Sequence, residues 1–282
     1  MRVRASAGSS SFRRQPTLEK LRREAADHVR RLRDENDDDP NASNARRDAA
    51  RQRAAGEREE RVTQAIEELE ELREQKEKRK TGSGENARTS TTDPESRIMK
   101  MGDGALSFAL AKGRPAYNVQ FATDGESRVI VAVDVTNSGS DRGQMATMQK
   151  DVTNRYGKAP GNYLVDCGFA TKDDITTVEK NGSEVIAPIH GEERIRKQDG
   201  DPHTRRRGDS DEMFAFRQRM AGEDAKTLYK QRSSIAEYPN AECRNRGLHQ
   251  FRVRSLQKVK ATALLHAIVF NFLRMRNLKC IT

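Results

Sequence analysis

Two strand-like stretches joined by a tight turn constrain the fold of this chain more than any other feature. Residues 116–123 alternate in polarity with a period of two, and residues 128–135 form a run rich in β-branched side chains. Between them lies Asp124-Gly125, a dipeptide typical of hairpin turns. The sequence therefore predicts an antiparallel β-hairpin over residues 116–135.

The residues that follow the hairpin alternate between helical and extended patterns. The predicted helices cover 145–156, 171–180, most of 211–246 and 256–278, and the predicted strands cover 162–166 and 184–189. Residues 191–211 are predicted as a charged loop, and Pro239 must interrupt the third helical stretch. Antiparallel strands followed by a helix–strand–helix–strand series predict an α/β fold, a mixed sheet flanked by helices.

The N-terminal part has a different composition, because residues 17–80 contain no aromatic side chain. Apolar residues recur at three- and four-residue intervals on either side of a polar break at 37–41; they are Leu18, Leu21, Ala25, Val29 and Leu32 before it and Val62, Ile66, Leu69 and Leu72 after it. This spacing predicts a helical hairpin or short coiled coil. The small polar residues of 82–92 are typical of a flexible linker.

The charge of the chain is concentrated near its C-terminus. The formal net charge is +10, and residues 243–282 hold nine Lys or Arg and no Asp or Glu. Such a stretch favours a polyanion such as nucleic acid, although a solvated basic surface is the alternative. The candidate DNA-binding residues are Arg244, Arg246, Arg252, Arg254 and Lys258. They alternate with residues expected to pack inward, which suits phosphate contacts that carry no sequence information.

Cysteines and hydropathy indicate a reducing compartment. Three cysteines with no CxxC pair favour neither a disulfide framework nor a zinc site. The longest apolar stretch, 261–273, is too short and too polar to cross a bilayer, and no signal peptide is recognised. We therefore expect a cytoplasmic protein, associated with the nucleoid if it binds DNA.

Two acids are the candidate catalytic and metal-binding residues. Asp166 ends an apolar, strand-like run, and Glu237 lies in a helical, basic segment. Phosphodiester chemistry commonly uses two divalent ions held by carboxylates on rigid elements, and a strand end projects its side chain into a ligand-binding crevice. Asp166 and Glu237 are therefore predicted to bind Mg²⁺, with Mn²⁺ as an alternative.

Each acid also has a simpler interpretation. Asp166 could be a loop aspartate that caps the turn after it, and Glu237 could be a surface charge. Glu242 is a rival to Glu237, but it lies closer to the arginine cluster. Glu237 is favoured because Ile235, Ala236 and Tyr238 flank it.

These motifs resemble the bacterial insertion-sequence transposases with a DDE catalytic domain of the RNase H-like fold. The resemblance lies in residues 1–8, 117–120, 135–137 with Asp141 and Gln144, 166–168, 236–237 and 245–248. It covers most of the chain and preserves the order of the motifs. It implies that Asp166 and Glu237 are the second and third acids of the triad. The implied partners are the DNA of the element ends and of the target, and a second copy of the chain or a full-length transposase.

In this family the first acid belongs to an Asp-Gly pair just ahead of the stretch that resembles residues 2–8, where this chain begins with Met1. Asp93, Asp103, Asp124 and Asp134 are in unsuitable predicted positions. The resemblance therefore predicts an N-terminally truncated transposase that is inactive alone. The expected divisions are a remnant of the first strand and loop (1–16), a helical insertion (17–80), a flexible linker (81–104) and an incomplete catalytic domain (105–282).

Two other functions remain open at this point. The chain could be a non-catalytic DNA-binding fragment that inhibits a full-length transposase through its helical hairpin. It could also be a metal-dependent nuclease unrelated to transposition, which would cut DNA without joining strands.

Overall fold

The computed structural model describes residues 1–38, 45–78, 84–101 and 113–279. The chain forms two compact units. The N-terminal unit comprises Arg2–Asn118 and Gln250–Val259, and the C-terminal unit comprises Met1, Val119–His249 and Lys260–Thr282. Within the parts described, no helix is both long and apolar enough to cross a membrane.

The N-terminal unit contains short strands and a long helical pair. Its elements are β1 (Arg2–Arg4), β2 (Phe12–Arg13), α1 (Gln15–Asp38), α2 (Ala45–Lys78), β3 (Thr89–Ser90), β4 (Arg97–Met99) and the first half of β5 (Arg114–Thr123). Strands β1 and β4 both pair antiparallel with β5, and β2 pairs antiparallel with β3. The strand predicted for the first residues is thus present.

Helices α1 and α2 confirm the predicted helical hairpin. Leu18 of α1 packs with Ala65, Ile66 and Leu69 of α2, so the two predicted apolar stripes meet. Many charged residues form ion pairs along each helix, such as Arg61 with Glu57, whereas Glu68 of α2 is largely buried and pairs with Arg97. Residues 42–44 and 79–80 of the predicted second helix lie outside the described residues.

Residues 81–104 are not the plain flexible linker that their composition predicts, because β3 and β4 lie within them. Polar side chains are fully buried here, among them Ser90 and Asp93. Asp93 Oδ1 accepts hydrogen bonds from the Tyr117 hydroxyl at 2.8 Å and the Ser255 amide at 3.2 Å. Burial raises the pKa of the Asp93 carboxyl. These buried polar groups thus hydrogen-bond to one another. Residues 81–83 and 102–104 lie outside the described part.

The C-terminal unit begins with the predicted hairpin. The second half of β5 pairs with β6 (Ile130–Thr136), and the turn closes through the Asp124 amide, which donates to Val129 O at 2.9 Å. Helix α3 (Met145–Tyr156) follows and ends at Gly157, whose φ of 73° is left-handed. Both elements have the predicted order and bounds close to the predicted ones.

A parallel βαβ unit comes next. Strand β7 (Asn162–Leu164) pairs in parallel with β8 (Glu184–Ile186), and α4 (Lys172–Lys180) connects them. Thr171 caps α4 by accepting the Asp174 amide. The core of this unit is formed by apolar residues of α3, α4, β8 and α6, among them Met145, Ile175, Val178, Val185 and Phe216. An antiparallel hairpin combined with a parallel pair confirms the predicted mixed α/β class.

The rest of the unit is helical. Its elements are α5 (Glu192–Arg196), α6 (Asp211–Ala221), α7 (Glu223–Lys230), a π-helical turn (Ser233–Glu237), α8 (Tyr238–Asn245) and α9 (Leu256–Asn277), which starts in the N-terminal unit. The predicted charged loop therefore contains a short helix. Helix α9 was predicted to be apolar on one side, but it buries Ala263, Ala267 and Phe270 while Leu265 and Phe272 are exposed.

Candidate active site

Asp166 directly follows the parallel strand pair. The Val165 amide donates to Ile186 O at 3.1 Å, which extends the pairing of β7 with β8 by one residue. Asp166 is therefore the first residue beyond this extended pairing, and its side chain is half-buried. This is the position at which open α/β sheets bind ligands. The expectation of a strand-end aspartate is confirmed.

Asp166 also shapes the turn that follows it. Its Oδ1 accepts the Gly168 amide at 2.9 Å, and its carbonyl accepts the Phe169 amide at 3.2 Å. The turn-capping interpretation thus describes a real contact, but it uses only one carboxylate oxygen. An Asx turn of this kind fixes the side chain in one orientation, which suits a metal ligand as well as a structural cap.

A second carboxylate, Asp141, borders the same space. A Cβ placed on Gly168 would lie 3.1 Å from Asp166 Oδ1 and 3.7 Å from Asp141 Oδ2. Glycine at 168 therefore keeps open the space that the two acids face. The sequence analysis named Asp141 only in a motif that carries the family resemblance and did not single it out as a site residue. The available signal was its place in that motif, shortly before the start of α3.

The loop of Asp141 is tied to the N-terminus of α4. Asp174 is buried, and its Oδ2 accepts hydrogen bonds from the Gly143 amide and the Thr171 hydroxyl, each at 2.8 Å. Gly143 has a left-handed φ of 78°, which favours glycine. The loop before α3 and the segment after Asp166 are thus joined through one buried carboxylate.

Glu237 ends the π-helical turn and precedes α8. Its side chain is 64% exposed and lies 3.5 Å from the Arg232 guanidinium. A π-helical turn is uncommon and is often found at functional sites. The rival Glu242 lies on α8 and pairs with Arg246 at 3.1 Å, four residues along the same helix. Glu237 therefore remains the better candidate of the two.

The donor chemistry of these acids fits a hard divalent cation, since Mg²⁺ prefers carboxylate oxygens. Asp166 lies beside Asp141, whereas Glu237 lies beside Arg232. Over the ranges that the structure describes, no group of three or more His, Cys, Asp or Glu side chains could hold a metal ion. Each acid thus has the chemistry of a metal ligand, and Asp141 is the acid found beside Asp166.

The other aspartates considered from the sequence have structural contacts. Asp124 Oδ2 accepts both the amide and the hydroxyl of Ser127 at 2.7 Å, and these bonds lower the pKa of Asp124. Asp134 lies on β6 and pairs with Lys260 at 2.8 Å. Asp93 is buried, as described above, and Asp103 lies outside the described residues.

The five candidate DNA-binding residues are all exposed. Arg244 and Arg246 belong to the C-terminal unit, and Arg252, Arg254 and Lys258 belong to the N-terminal unit. The apolar residues between them turn inward as predicted, since Leu248 and Phe251 are each 1% exposed. In the N-terminal unit Phe251 packs edge-to-face on Tyr117.

Two of the three cysteines lie within the described residues. Cys167 and Cys243 are free, and Cys280 lies outside the described residues. Burial raises the pKa of the Cys243 thiol to about 11, which disfavours its thiolate form.

Comparison with protein families gives a match over more than half of the chain. A family model described as a transposase DDE domain matches residues 107–272, which is more than half of the chain and includes both Asp166 and Glu237. Neither the curated proteins nor the solved structures include a significant match. The match agrees with the order of strands and helices found here, which is that of an RNase H-like fold with an N-terminal helical hairpin. The chain therefore belongs to the family of transposases with a DDE domain.

Proposed function

We propose that this protein is a DDE-type DNA transposase that cuts and joins DNA strands during the transposition of an insertion sequence. The observation that carries the proposal is the position of Asp166, directly beyond the parallel pair β7–β8 within the matched family domain. The basic residues after Glu242 support it, because a transposase must hold the DNA backbone. Such a protein acts on DNA in the cytoplasm.

Asp166 and Glu237 are the proposed metal ligands in this chain. Bound Mg²⁺ or Mn²⁺ would supply an activated oxygen nucleophile and stabilise the leaving oxygen. The Gly168 amide orients the Asp166 carboxylate, and Arg232 lies beside Glu237. Asp141 is the additional acid that the structure places next to Asp166.

We further propose that cleavage requires three carboxylates around the metal ions, whereas the described residues form no group of three His, Cys, Asp or Glu side chains that could hold one. Purified protein of these 282 residues is therefore expected to bind DNA but neither nick nor join it with Mg²⁺ or Mn²⁺. The measurement is a gel assay with labelled duplex DNA. Metal-dependent cleavage that disappears in Asp166→Ala would show that the site is complete. Products without joined strands would instead identify a nuclease.

DNA binding should depend on the basic residues singled out from the sequence. We expect Arg252→Gln and Arg254→Gln each to weaken binding equally on unrelated duplexes. Each should reduce the slope of log K against log salt by about 1, because one phosphate contact is lost. The control is Arg51→Gln on α2, whose guanidinium already pairs with Asp48 at 3.6 Å. A change confined to one DNA sequence would contradict the proposed backbone role.

A further inference from the structure

The tip of the β5–β6 hairpin contacts the π-helical turn that carries Glu237. Arg128 Nη1 donates to Ser234 O at 3.0 Å. A Cβ added to Gly125 would lie 3.8 Å from Ile235 Cδ1. Two segments more than 100 residues apart therefore meet at the turn that ends at the proposed metal ligand.

The hairpin tip is held by other bonds in the same unit. Arg274 of α9 donates from Nε to Ser127 O at 2.8 Å. The Asn271 side chain makes two hydrogen bonds to the Ile130 backbone. Its Oδ1 accepts the Ile130 amide at 2.8 Å, and its Nδ2 donates to the Ile130 carbonyl at 2.7 Å. Arg128 has a φ of 61°, a left-handed conformation that is unusual for a residue other than glycine. Such a conformation persists where the surroundings fix it.

Pro239 explains why Ser234 needs an outside donor. In a π-helix each carbonyl accepts the amide five residues later. The partner of Ser234 in that register is residue 239, which is proline and has no N–H. The neighbouring Ala236 carbonyl also takes a side-chain donor, Asn240 Nδ2 at 3.0 Å. Side-chain donors thus reach two carbonyls of this segment, those of Ser234 and Ala236.

We propose that Arg128 is a positioning residue for Glu237. Its guanidinium replaces the amide that Pro239 lacks and so stabilises the π-helical turn in the conformation that sets the direction of the Glu237 side chain. This role rests on the proposed function of Glu237 as a metal ligand. The contact itself does not depend on that function and can be measured separately.

The test is a double-variant cycle with Arg128→Ala and Pro239→Ala. Exchange of the amides of residues 235–238 with deuterium should become about tenfold faster in Arg128→Ala, because one charge-assisted hydrogen bond is lost. Adding Pro239→Ala should restore exchange to within about twofold, because the new amide can donate to Ser234 O. Additive effects, or no change in Arg128→Ala, would overturn the proposal.

Two further variants separate the donor from the backbone conformation. Arg128→Gly relieves the left-handed strain yet removes the guanidinium, so it should fold and still show faster exchange. Glu126→Ala changes an exposed side chain of the same hairpin turn and should leave exchange unchanged. If Arg128→Gly exchanged as slowly as the parent protein, the donor role would be refuted.

A second readout links the turn to metal binding. Mn²⁺ affinity should fall on the order of fivefold to tenfold in Arg128→Ala and recover with Pro239→Ala, while Arg128→Ala should have no added effect in a Glu237→Gln background. If Glu237→Gln alone leaves Mn²⁺ affinity unchanged, the ligand role of Glu237 fails. The exchange measurements would then still decide whether Arg128 holds the turn.

Discussion

Replacing Asp166 with asparagine should weaken Mn²⁺ binding by on the order of 100-fold, and replacing Glu237 with glutamine should do the same. Loss of a residue that only supports a ligand already costs 10–100-fold, so loss of a charged ligand should cost at least as much. Both changes keep the size of the side chain and remove one negative charge. Calorimetric titration of the purified protein with Mn²⁺ measures the affinity.

The controls remove the same charge from acids close to these positions in sequence. Asp173→Asn lies in the first turn of α4, and Glu242→Gln removes the partner of Arg246 on α8. Both should keep Mn²⁺ affinity within about twofold, because long-range charge effects at exposed sites are screened by salt. Equal losses in the controls and in Asp166→Asn would show a general charge effect and refute the ligand role.

Asp141→Asn in the same Mn²⁺ titration tests whether the Asp141 carboxylate also contributes to metal binding. Its carboxylate borders the space beside Gly168 that Asp166 also faces. Asp141 lies in a motif of the family resemblance, but its contact with Asp166 was not predicted, because it depends on how the loop before α3 folds back on the segment after β7. Asp166 was predictable, since an apolar run ending in a polar residue is a local pattern. Contacts between distant loops leave no such pattern.

The segment around Glu237 also combines features that the sequence predicted with one that it did not. Its helical character followed from the sequence, and so did an interruption at Pro239. The π-helical turn was not predicted, because the contact that we propose stabilises it comes from a distant segment, where Arg128 donates to Ser234 O. Residues 81–104 were predicted as a flexible linker because their contacts with residues distant in sequence likewise leave no local pattern. Their polar side chains pair within a buried network that composition alone does not reveal.

The largest effect on folding is expected at Arg217, a helical residue that was not singled out in the sequence. Its side chain is 4% exposed and donates from Nε to Asp209 Oδ2 at 2.8 Å, and the Asp209 side chain is fully buried. Arg217→Met should lower the free energy of unfolding by about 3 kcal/mol, because it leaves a buried carboxylate with one fewer cation. Urea unfolding at pH 7 measures the change.

A matched variant tests whether burial is the cause. Arg205→Met removes an exposed arginine that also pairs with an aspartate, Asp211, at 2.7 Å. Exposed pairs contribute at most about 1 kcal/mol, so this variant should remain close to the parent protein. Adding Asp209→Asn to Arg217→Met should recover part of the loss, because no uncompensated charge then remains. Equal losses for Arg205→Met and Arg217→Met would contradict the argument.

The effect of Arg217→Met should also depend on pH. Burial acts to raise the pKa of Asp209, but hydrogen bonds from Lys172, Arg217 and the Arg206 amide lower it to about 2 from an ordinary 3.8. A lowered pKa in the folded protein stabilises it above pH 3.8, and this contribution is lost as the pH falls towards 2. Removal of Arg217 raises the pKa of Asp209. As the pH falls, Asp209 is therefore protonated in the variant before it is protonated in the parent protein, and the uncompensated charge disappears. The difference between parent and variant should therefore shrink between pH 5 and pH 3, whereas a defect in packing alone would give a constant difference.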